Sequence, residues 1–131
     1  MTSSDARSTA EEERTPLDRF VWVHAQNERD NAVHIRAARR GVWVSFDGVS
    51  ESSLEAHAGY VLAMRDAGLL GRVLISHDAG WYHVGEPGGG TYRPHDLIFT
   101  TLLPQLRTRG LTAADVRQLM VENPRAVLAH A

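Results

Sequence analysis

The chain has 131 residues, 43% hydrophobic and 23% charged, with a formal net charge of −2 and a pI near 6.4. That is enough for one domain with a real core, and it offers no basic surplus that would favour nucleic acid or an anionic membrane. No stretch reaches the roughly 18 apolar residues of a membrane span. Cysteine is absent, which excludes disulfides and thiolate metal sites and fits a cytoplasmic protein.

Residues 1–16, MTSSDARSTAEEERTP, are almost devoid of apolar side chains and lack the basic-then-apolar pattern of a secretory leader. They are expected to form a disordered or helical arm ahead of a domain over 17–131. Phe20-Val21-Trp22-Val23 then reads as a first strand, ending at His24. A polar stretch with weak helical periodicity runs to Gly41, a good residue just past a helix end. Val42 to Phe46 is the second strand, ending at Asp47-Gly48. Ser52 and Glu55 offer a capping box. Leu54, His57, Ala58, Val61 and Leu62 keep the 3.6-residue spacing of a helix that stops at Gly68.

Val73 to Ser76 is the third strand, followed by His77-Asp78 and a long loop over 78–94. Ordered loops of that length are usually functional. Leu97 to Arg109 reads as a helix kinked by Pro104 and stopped by Gly110. Thr112 and Asp115 cap another, which Asn123-Pro124 is expected to interrupt before a last turn over 125–129. Strands and helices in alternation imply an α/β fold with parallel strands and right-handed crossovers. Strands that are apolar throughout suit a sheet covered on both faces.

Parallel strands send their C-terminal ends to one edge, where α/β folds bind ligands. Here the three ends carry His24, Asp47 and His77-Asp78. Imidazole and carboxylate suit a catalytic cation such as Zn²⁺ or Mn²⁺ when no thiol is offered, and equally serve as turn formers at a strand end. Spacing leaves both readings open. Trp81 and Tyr82 could pack the loop or wall a substrate pocket. GEPGGG lacks the Gly-Lys-Ser/Thr of a phosphate loop, and there is no Gly-x-Ser-x-Gly elbow.

FVWVHAQNE, GVWVSFDG, VLISHDAGWYHVGEPGG and LMVENPRAVLA occur in this order over roughly residues 17–129. Together they resemble the phosphotriesterase family of the amidohydrolase superfamily. The resemblance implies the C-terminal portion of a (β/α)8 TIM barrel, its strands six to eight with their helices, from a metal-dependent hydrolase of esters, lactones or phosphotriesters. His24 falls on the strand-six ligand of the second metal. Asp78 falls on the strand-eight aspartate, which ligates the first metal and helps activate the bridging water. The complete family fold carries a binuclear centre, of Zn²⁺ or of Mn²⁺ or Co²⁺. Residues 79–93, with Trp81, Tyr82 and His83, would shape the pocket for a small-molecule substrate.

Two departures from the family pattern stand out. Phosphotriesterases proper place a relay histidine directly after the strand-seven aspartate, where this sequence has Gly48, and a relay carboxylate where it has Asn27. This favours a divergent branch. A whole barrel takes about 250 residues, so strands one to five, and most metal ligands with them, are expected to lie outside this sequence. The chain alone should be inactive and should self-associate or pair with a missing N-terminal half. Val21, Val23, Val44 and Ile75 would then face water or another chain. The alternative is a non-catalytic α/β binding or interaction module derived from the same scaffold.

Overall fold

The computed structural model of the chain describes residues 16–78, 84–90 and 95–129. Residues 1–15 of the arm expected over 1–16, and Trp81, Tyr82 and His83, therefore lie outside the described residues. Three strands, β1 (Val21–Trp22), β2 (Trp43–Phe46) and β3 (Val73–Ile75), form one parallel sheet in the order β1-β2-β3. Helix α1 (Asn31–Arg39) connects the first two and α2 (Leu54–Asp66) connects the last two. The expected α/β alternation is thus observed, with strands somewhat shorter than the apolar runs that encode them.

Each crossover helix has a local cause. The Asp30 carboxylate accepts the Ala32 N–H at 2.9 Å and starts α1. Gly41, at φ 100°, lets the chain turn back sharply enough for its N–H to reach Ala38 O and for the Val42 N–H to reach Ala37 O. The cap of α2 is not the expected Ser52–Glu55 pair. The chain first makes a 3-10 turn over Glu51–Ser53, and Ser50 and Ser53 form the reciprocal box two residues earlier. The predicted apolar face of α2 is present, with His57, Ala58, Val61, Leu62 and Met64 buried.

Neither later proline breaks its helix. Proline has no N–H to give and its ring crowds the carbonyl four residues back. Both helices absorb this by widening one turn into a π segment just ahead of the proline. Ile98–Leu102 is π-helical, with the Leu103 N–H on Ile98 O, and leads into α3 (Leu103–Thr108). After the Thr112–Asp115 capping box, which forms as expected, α4 (Ala113–Arg117) passes through a π segment over Gln118–Glu122 into α5 (Asn123–Leu128). The expected interruption at Asn123-Pro124 is a continuation instead.

The pleat corrects the expectation for the sheet's apolar residues. Trp22 pairs with Val44, Val44 with Val73, and Phe46 with Ile75. Paired residues, and residues two apart on a strand, share a face. All five lie on the face that joins the helical core, with Val44 and Phe46 fully buried and Ile75 packed against them. Val44 and Ile75 therefore face neither water nor another chain. Val21 and Trp43 pair on the opposite face. There Val21 is half-buried, and Val23 just beyond it is 56% exposed.

Candidate functional site

The register decides what meets at the C-terminal edge. Trp22 lies opposite Val44, so β2 continues two residues further than β1, and the turn after β1 comes level with the end of β2. The β2–β3 ladder also runs on past the strands, through Ser76 N–H to Phe46 O at 3.2 Å and Val49 N–H to Ser76 O at 3.1 Å. His24, Asp47, His77 and Asp78 are thereby carried to one edge, as the strand-end reading anticipated.

His24 and Asp47 are in direct contact. His24 Nδ1 is 2.6 Å from Asp47 Oδ1, and the His24 backbone N–H donates to Asp47 Oδ2 at 2.9 Å. The Asp47 side chain is 12% exposed and the His24 side chain 54%, so the carboxylate is the anchored partner. A carboxylate on Nδ1 fixes the ring's tautomer and leaves Nε2 as the nitrogen that can act on something else. Gln26, on the 3-10 turn Ala25–Asn27, completes the arrangement. Its Nε2 donates to Asp47 Oδ1 and its Oε1 accepts the Asp47 N–H, both at 3.1 Å. Sequence reading missed Gln26. Only the spatial register of two loops more than twenty residues apart reveals it.

His77 is buried and has a different task. Its Nε2 accepts the backbone N–H of Ile98 at 2.9 Å, which ties the start of the π segment ahead of α3 to the end of β3. Its ring also meets His95 edge-on at 6.2 Å. Asp78 is exposed and sits at φ 49°, and His24 sits at φ 55°. Among the described residues these are the only two non-glycine residues with positive φ.

Two further histidines lie buried behind the edge. His34 Nε2 donates to Ala25 O at 2.8 Å, and His57 Nδ1 donates to Ser53 O at 2.9 Å. They pack with Trp22, Phe46 and Tyr60 at ring separations of 5.0–6.1 Å. Burial lowers the pKa of both below the ordinary 6.5, because the interior disfavours the imidazolium. These two are neutral core histidines.

A parallel α/β sheet with its imidazoles and carboxylates gathered at the strand C-termini is the scaffold class that includes the β/α barrel hydrolases. The phosphotriesterase family model matches residues 5–128. The chain belongs to the phosphotriesterase family. It is 39% identical over 88 residues to the phosphotriesterase homology protein of Escherichia coli, an alignment covering 64% of this chain and 29% of that protein. The solved structure of that protein, with phosphate in its active site, superposes with a TM-score of 0.73 at 30% identity over 87% of this chain and 40% of the other. A resiniferatoxin-binding protein from Rhodobacter sphaeroides gives 0.79 at 28% identity over 95% and 38%. The fold is thus part of the phosphotriesterase TIM barrel, and the chain spans about three- to four-tenths of the length of these relatives.

The donor types suit a divalent cation, but the donor count does not. A catalytic zinc usually takes three protein ligands, and among the described residues no group of three His, Asp or Glu side chains comes close enough to hold a metal ion. The described residues do not by themselves make a complete metal site.

Proposed function

We propose that this chain is the C-terminal part of a phosphotriesterase-like metal-dependent hydrolase acting on small-molecule esters, lactones or phosphotriesters. In this reading β1, β2 and β3 are barrel strands six, seven and eight. His24 and Asp78 each contribute one ligand to a centre of Zn²⁺, Mn²⁺ or Co²⁺, and Asp78 is also the catalytic carboxylate. Trp81, Tyr82 and His83 line the substrate pocket. The remaining ligands come from strands one to five, so residues 17–131 carry no hydrolysis by themselves.

The observation that supports this best is backbone strain. Left-handed backbone at a non-glycine residue costs of order 1–3 kcal/mol and persists mainly where function needs it. Among the described residues it occurs only at His24 and Asp78, the two positions that the resemblance assigns as metal ligands.

The test is a chimera. Residues 17–129 replace the matching C-terminal part of the E. coli phosphotriesterase homology protein, and the product is assayed on aryl esters, lactones and phosphotriesters with each of the three cations. We expect turnover that Asp78→Ala abolishes, and none from the chain alone. A folded chimera that hydrolyses nothing, or an Asp78→Ala chimera with full activity, would refute the proposal.

A further inference from the structure

Gln26 and Gly48 are coupled more tightly than their separation in sequence suggests. A Cβ built on Gly48 would lie 2.7 Å from Gln26 Nε2, closer than real Cβ contacts come. Gly48 is not among the glycines with positive φ, so its backbone suits any residue. The obstacle to a side chain there is the Gln26 amide.

That amide is fixed from two directions. It receives the Asp47 N–H and gives a hydrogen bond to the Asp47 carboxylate. A flipped amide would set oxygen against carboxylate oxygen and nitrogen against N–H, so its orientation is determined. The Tyr60 hydroxyl adds a long bond of 3.4 Å to the Gln26 backbone carbonyl, which holds the residue rather than its amide. Asp47 in turn holds both the ring and the backbone N–H of His24.

We infer that Gln26 is a positioning residue: its amide occupies the space beside Asp47 that a side chain at 48 would enter, and thereby holds the carboxylate that orients the His24 ring. The inference concerns the same edge as the proposed hydrolase site, but its test needs no turnover, so the two can fail separately.

Because the obstacle is the end of a flexible side chain, Gly48→Ala should displace the amide rather than unfold the protein. The full chain is labelled with ¹⁵N, and the His24 ring nitrogens are followed by NMR, since their shifts report the Nδ1–H tautomer held by Asp47. Gln26→Ala and Gly48→Ala should each lose that signature, and the double variant should be no worse than either. In the Gln26→Ala background, Gly48→Ala should cost no melting temperature. A His24 signature unchanged in either single variant would overturn the inference. If Gly48→Ala alone fails to fold, a folded double variant still supports the coupling, and an unfolded one overturns it.

Discussion

The Asp47 carboxylate grips His24 twice, through ring Nδ1 at 2.6 Å and backbone N–H at 2.9 Å, across the ends of two neighbouring parallel strands. The partners are unequal. His24 is largely exposed, whereas Asp47 is buried and also holds the Gln26 amide. Removing the acceptor strands several donors, while removing the ring strands few.

Asp47→Ala should therefore destabilise the chain by about 2–3 kcal/mol, the usual range for orphaning buried hydrogen-bond partners. His24→Ala should cost roughly 1 kcal/mol, because water compensates much of a hydrogen bond whose ring is largely exposed. Denaturant unfolding of the two variants checks the order. Equal losses would show that the ring rather than the carboxylate holds the edge together.

The left-handed backbone at Asp78 makes a prediction that separates strain from contacts. Asp78→Gly and Asp78→Val both remove the carboxylate, so their difference isolates the backbone, which glycine adopts freely here. Asp78→Val, β-branched and poorly suited to positive φ, should be less stable than Asp78→Gly by about 1–2 kcal/mol. Equal melting temperatures for the two variants would mean that the residue is not held at φ 49° in solution.

Stability should fall with acid below neutrality through His34 and His57. Their folded pKa values lie below the ordinary 6.5, so the unfolded chain takes up protons first. The contribution is fully present above pH 6.5 and is lost as pH drops from there through the lowered folded values. The double variant His34→Gln/His57→Gln should be less stable at pH 8, with a flatter slope between pH 7 and 5. An unchanged slope would assign the acid sensitivity to other groups.

Asn123 ties the last helix to the sheet. Its amide nitrogen donates to Leu70 O and Val73 O at 2.7 Å each, and its side-chain oxygen accepts from Gln118 Nε2, all in a fully buried position. Asn123→Asp should be worse than Asn123→Ala, because it keeps the volume but replaces the double donor with a buried anion facing two carbonyls. We expect a loss of about 2–3 kcal/mol for alanine. Thermal melts with aspartate as stable as alanine would contradict this.

Periodicity and turn chemistry in the sequence determine the three strands, the two crossover helices, the parallel class and the edge at which His24, Asp47 and His77-Asp78 gather. Those properties are local, and a β-branched run or a Thr-x-x-Asp cap means the same thing in any chain. Asn123-Pro124 misled because a helix can widen one turn, and that choice depends on what packs around it. The pleat separated Val44 and Ile75 from Val21 and Val23, since facing follows strand register and not hydrophobicity. Only the tertiary structure decided that His77 holds the π segment ahead of α3, that Asp47 holds His24, and that Gln26 fills the space beside Gly48. Each of these joins segments about twenty residues apart through one hydrogen bond or a few ångströms of contact, which the order of residues does not carry.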